Sequence, residues 1–156
     1  MAKASFGAGC FWGVEELFRQ VPGVTATAVG YEGGAKDHPT YKDVCTGETN
    51  HAEVIEIDFD PSLLSYERLL EIFFDMHDPT TLNRQGPDFG TQYRSVVFFH
   101  DAEQEREALA MKDRLDRQGR FPRPIVTAIH PAETFWPAED YHQRYLQKRG
   151  LGTCHV

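Results

Sequence analysis

The stretch Glu53-Val54-Ile55-Glu56-Ile57-Asp58-Phe59 sets apolar against charged side chains in the near-alternating order of a strand, and Asp60-Pro61 ends it. A period of two turns one face of such a strand to a core. Downstream, Ser65 is placed to cap a helix over 66–76, whose Leu69, Leu70, Phe73 and Phe74 form one apolar stripe. Ser95 to Phe99 reads as the next strand. Upstream, Pro22-Gly23 turns into a strand from Val24 to Tyr31, preceded by a helix over 11–20 and a strand over 4–8. The order β-α-β-β-α-β over residues 4–99 predicts an α+β, two-layer sandwich with a ferredoxin-like core. A charged helix from Ala102 to Gln118 and a strand from Ile125 to Ile129 extend it. A short helix around 140–146 and a glycine-rich tail follow.

A chain of 156 residues can bury a core of its own, so residues 1–156 read as one domain, with a flexible tail over about 147–156. The formal net charge of −8 excludes the basic face that nucleic acids or anionic membranes demand. No apolar run approaches a membrane span, and the first residues lack the apolar core of a signal peptide. A cytoplasmic protein is expected. Cys10, Cys45 and Cys154 are odd in number and far apart, unlike a secreted disulfide framework. Without a C-x-x-C pair, neither a metal site nor a cofactor is expected.

Gly9-Cys10-Phe11-Trp12-Gly13 lies where the first strand meets the first helix. Free backbone N–H groups and the positive end of a helix dipole there favour a thiolate, and Phe11-Trp12 can wall an apolar pocket. Two long polar loops carry the other reactive groups. The first runs from Gly33-Gly34 through Tyr41 and Cys45 to Asn50 and His51; the second runs from Asp78 to Arg94 and holds Asp88 and Tyr93. Irregular loops above a rigid sheet are a common way to present catalytic groups. Cys45, beside Val44, is expected to be buried without a redox role. His51 and His142 are expected to be structural hydrogen-bonders, and the helix from 102 a solvated face with i,i+4 pairs.

Five motifs then carry a resemblance: Gly9–Gly13; Gly30-Tyr31 with Gly33-Gly34; His51-Ala52-Glu53-Val54; the whole Asp78–Ser95 run; and Pro137-Ala138-Glu139-Asp140-Tyr141-His142-Gln143. In this order they resemble the methionine sulfoxide reductase A family, which reduces the S epimer of methionine sulfoxide. Carried over position by position, the resemblance implies Cys10 as nucleophile, Phe11 and Trp12 as methyl-binding aromatics and Glu53 as acid. It implies Tyr41 and Tyr93 as oxygen-binding hydroxyls, and Asp88 as a further substrate-binding residue. Cys154 would be the resolving thiol, with thioredoxin as reductant and methionine sulfoxide, free or in proteins, as substrate. Asn50 stands where the family usually has Gly, and Asn tolerates the positive φ such a site needs.

The residue types suit that chemistry. A sulfoxide is a poor electrophile until its oxygen is protonated, which a buried, protonated Glu53 can do while phenols hold the developing charge. The Cys10 thiolate takes the oxygen and becomes a sulfenic acid, which a second thiol condenses to a disulfide. Two other readings use the same cysteine. A hydrolase or acyltransferase requires His51 or His142 as base beside the sulfur. A redox-sensing or methionine-binding module requires no turnover.

Overall fold

The structure is a computed structural model that describes residues 2–150. One six-stranded sheet organises it. In chain order its elements are β1 (Ala2–Ala8), α1 (Phe11–Arg19), β2 (Val24–Glu32), α2 (Tyr41–Cys45), β3 (Ala52–Phe59) and α3 (Tyr66–Asp75). A two-residue ribbon, β4 (Arg84–Gln85) and β5 (Asp88–Phe89), precedes β6 (Ser95–Phe99), α4 (Ala102–Arg117), β7 (Ala128–Pro131), β8 (Trp136–Pro137) and α5 (Tyr145–Lys148). The strand order is β7-β6-β1-β3-β2-β8. Its inner four, β6-β1-β3-β2, are all antiparallel neighbours, the arrangement the ferredoxin-like order requires.

Helices α1 and α3 cover one face. Phe6 of β1 is fully buried and lies 4.8 Å from the Phe73 ring and 5.7 Å from the Phe18 ring. Burying one such side chain contributes roughly 1.5–3 kcal/mol. Ser65 caps α3 as its position suggests, its hydroxyl accepting from Arg68 N at 3.1 Å. The opposite face is covered by the segment after β7 through a cluster around Val54, Val96 and Phe98, while Phe11, Val29, Tyr31 and Val44 form a second cluster on the α1 face beside the main core. This explains β3: Ala52 to Ile55 are all buried, and the alternation appears only beyond them.

Several boundaries differ from the expectation. The last predicted strand lies at Ala128–Pro131, because Ile125 is held off the sheet by Asp116, whose carboxylate accepts from Ile125 N at 2.9 Å. The helix expected over 140–146 is a 3-10 turn at Asp140–His142 and a separate α5, broken at Arg144, whose φ is 51°. The first loop contains α2, closed by a capping box between Thr40 and Asp43. The second contains the β4–β5 ribbon and a 3-10 turn at Thr91–Tyr93. On α4 the exposed pairs are Glu103–Arg106 and Asp113–Arg117, three and four residues apart. Residues 151–156, Cys154 among them, lie outside the described residues.

Candidate active site

Sheet register assembles the site. β1 and β3 run antiparallel with Phe6 opposite Ile55, so two residues further along Ala8 faces Glu53. From the other side β2 sets Tyr31 opposite Glu53. The chain leaves β1 through Gly9, whose φ of 96° suits glycine, and enters α1 with Cys10 at the N-cap. Cys10 is half-buried, and its side chain makes no capping bond.

Glu53 dominates the electrostatics. It is 2% exposed. One carboxyl oxygen accepts from Phe11 N, in the first turn of α1, at 3.2 Å; the other is buried and, among the described residues, has no hydrogen-bond partner. Burial pushes its pKa up to about 8; the Phe11 N–H opposes the shift and the charge of Asp88 adds to it. An acid with that pKa and an unspent oxygen is a proton donor at neutral pH. Tyr41 and Tyr93 are half-buried, and burial, reinforced by the charge of Glu53, raises both phenols well above the ordinary tyrosine range. Tyr93 also feels Asp88, Cys45 and Cys10. Tyr93 is therefore within electrostatic reach of Glu53, Asp88 and Cys10, and Tyr41 within reach of Glu53, although these residues come from α1, β3 and both loops.

Aromatic rings build the wall beside Cys10. Phe11 is 1% exposed and packs 5.8 Å from Tyr31 and 6.4 Å from Tyr41, so it underlies the site. Trp12 is half-buried and stacks on Tyr145 at 3.9 Å. A cleft of about 630 Å³ between β2 and the C-terminal segment, lined by Thr25, Thr27, Asp140 and Gln147, contains none of these groups.

Neither histidine is available as a base. His51 accepts from Gly34 N at 3.0 Å and bonds the Lys36 carbonyl at 2.6 Å through its other nitrogen, so both are spent on the first loop. Gly34 is required there, since a Cβ would stand 2.4 Å from both His51 N and Thr49 O. His142 accepts the Trp12 indole N–H at 2.9 Å. The histidines are structural hydrogen-bonders, as their sequence context implies, and the hydrolase reading loses its base. Among the described residues no group of three or more His, Cys, Asp or Glu is placed to hold a metal ion.

A model of the peptide methionine sulfoxide reductase family matches residues 2–156. The chain belongs to that family. It is 67% identical over 156 residues to the peptide methionine sulfoxide reductase of Acidobacterium capsulatum, covering all of both chains. It is 63% identical over 154 residues to that of Methanoculleus marisnigri, covering 99% of this chain and 94% of the relative. Among solved structures, the reduced form of Mxr1 from Saccharomyces cerevisiae superposes with a TM-score of 0.90 at 39% identity, covering 97% of this chain and 87% of that one.

Against the expectation drawn from its neighbour Val44, one residue is misplaced. Cys45 is exposed, not buried: Val44 fills the core, and the next residue on α2 points outward. Its sulfur accepts from the Tyr41 hydroxyl, and partial burial on that side still raises its pKa. The residues that hold the site from behind were missed as such. Glu139 accepts from the Tyr31 hydroxyl at 2.9 Å and from Tyr41 N at 3.1 Å. Glu15, buried on α1, accepts from Arg144 N at 2.6 Å and from the Thr27 hydroxyl at 2.8 Å. The Pro137–Gln143 motif signals the first of these, and nothing local signals the second. Asn50, which departs from the family pattern, takes φ 59°, a conformation Asn tolerates better than most residues.

Proposed function

We infer that this protein reduces the S epimer of methionine sulfoxide, free or within proteins, to methionine, repairing oxidative damage. The observation that carries this reading is Glu53: a buried acid with a pKa near 8, one oxygen on the first turn of the helix that begins at Cys10, the other unspent. In this reading Glu53 gives its proton to the sulfoxide oxygen as the Cys10 thiolate attacks sulfur. Tyr41 and Tyr93 hold the oxygen, the Tyr41 hydroxyl turning from Cys45 to do so, and Asp88 assists from the second loop. The methyl group packs on Trp12, with Phe11 beneath. The protonated oxygen then passes from the substrate sulfur to the Cys10 sulfur as the S–O bond and the new S–S bond break, so methionine leaves and Cys10 becomes a sulfenic acid. The Cys154 thiol then attacks the Cys10 sulfur, water departs, and thioredoxin reduces the disulfide by thiol exchange. The whole chain is one catalytic domain needing no cofactor. Among the described residues no helix is long and apolar enough to cross a membrane, and we place the reaction in the cytoplasm, where widely spaced thiols stay reduced.

A single-turnover assay without reductant tests this. The parent is expected to yield one to two equivalents of methionine, and Cys10→Ser none, because an alcohol cannot accept the oxygen. More than trace activity in the serine variant removes Cys10 as nucleophile.

A further inference from the structure

We propose that His142 is the positioning residue of the substrate's methyl pocket: its neutral imidazole fixes Trp12 through the indole N–H. The proposal deepens the reductase reading and rests on it for the pocket's purpose. Its geometry stands independently. An indole N–H can only donate, so the His142 Nδ1 that it meets at 2.9 Å must offer a lone pair. The imidazole is therefore neutral and carries its proton on Nε2. Among the described residues that nitrogen is buried with no hydrogen-bond partner, an arrangement that costs stability rather than adding to it. Burial, which holds the His142 pKa below its ordinary value, agrees with a neutral ring.

Trp12 needs such a bond. Its stack on Tyr145, with rings 3.9 Å apart and 11° from parallel, sets the plane of the indole. Offset stacking tolerates sliding and in-plane rotation. A directional N–H···N bond removes that freedom and fixes the indole in its plane. His142 is also the ring that ties the wall together, 4.4 Å from Tyr41 and 5.4 Å from Phe11.

His142 is itself held rigidly. On its N-terminal side Glu139 is anchored to Tyr31 and Tyr41. On its C-terminal side the Gln143 amide takes the place of a strand against β2, accepting from Val29 N at 2.9 Å and donating to Val29 O at 2.8 Å. A bond of 2.9 Å between two mobile residues orders little, whereas one anchored at its acceptor transmits the anchor's position to the indole.

The test uses the full chain with three variants: His142→Phe keeps a flat ring and loses the acceptor, His142→Asn keeps an acceptor near Nδ1, and Trp12→Phe loses the donor. Nitrogen-15 NMR reads the Trp12 indole N–H, with Trp136, the second tryptophan, as reference. His142→Phe is expected to shift that signal upfield and speed its exchange with water, and His142→Asn to restore both. With N-acetylmethionine sulfoxide, His142→Phe is expected to raise KM about tenfold, the worth of one hydrogen bond, with kcat within about threefold. Asn should rescue KM, and adding His142→Phe to Trp12→Phe should change it no further. An unchanged indole signal in His142→Phe, an Asn variant as defective as Phe, or KM effects that multiply in the double variant would each overturn the proposal. A parent protein inactive on the sulfoxide overturns the reductase reading instead, and is told apart because the indole signal does not depend on turnover.

Discussion

Replacing Glu53 by Gln separates the cost of the buried acid from its use. The amide keeps the shape and can still accept from Phe11 N, the bond now 3.2 Å long, but it has no transferable proton. With a pKa near 8, roughly nine molecules in ten hold the proton at pH 7. Loss of a general acid typically slows the chemical step about 100- to 10,000-fold. The parent's single-turnover rate is therefore expected to be flat around pH 7 and to fall about tenfold per pH unit well above 8, whereas the Gln variant is slow at every pH. Stability moves the other way. The folded pKa is raised above the ordinary 4.5, so this group's contribution is full below 4.5 and is lost as pH rises through 8. At pH 7 folding must reprotonate the carboxylate, costing about 3 kcal/mol at ~1.4 kcal/mol per pH unit. The Gln variant avoids this, so it is expected to melt higher at pH 7, by up to about 6–12 °C, less the cost of its own unpartnered amide N–H. Thermal melts at pH 4 and pH 8 check the sign, since the gain must all but vanish at the lower pH. A Gln variant that matches the parent's single-turnover rate, or a parent whose rate does not fall above pH 8, refutes Glu53 as the acid.

Three further outcomes are expected. The S epimer should be reduced and the R epimer essentially not, because inversion at sulfur points the oxygen away from Glu53 and the tyrosines; equal rates measured by chiral chromatography contradict the pocket. Cys154→Ser should keep the first turnover and lose the thioredoxin-linked cycle while Cys45→Ser loses neither, and peptide mapping after one turnover decides, a dominant Cys10–Cys45 bridge reversing the assignment. Gly34→Ala should lower stability in urea by at least about 2 kcal/mol, since its Cβ meets the backbone of Thr49 and His51 at 2.4 Å; a change under about 0.5 kcal/mol shows that the first loop is not held through this contact.

Local pattern determined much of this protein. The strands and helices of the βαββαβ core follow from side-chain period, Ser65 and Gly9 mark their junctions, and five motifs in order expose the family and, within them, Cys10, Glu53, Tyr93 and Asp88. These features are legible because each depends on neighbours within a turn or a strand. What only the tertiary structure decided depends on contacts across 40 to 130 positions of sequence. The pKa of Glu53 comes from burial between β1, β2 and the first turn of α1, and no property of Glu-Val-Ile-Glu encodes it. Cys45 illustrates the reverse error: Val44 beside it suggested burial, yet one step along a short helix rotates a side chain by about 100° and turns the thiol out of the core. The helix broken at Arg144 is held by the carboxylate of Glu15, 129 positions away, and the strand start at Ala128 by that of Asp116, on the preceding helix. Trp12 and His142, 130 positions apart, meet only because Gln143 and Glu139 dock the C-terminal segment on β2.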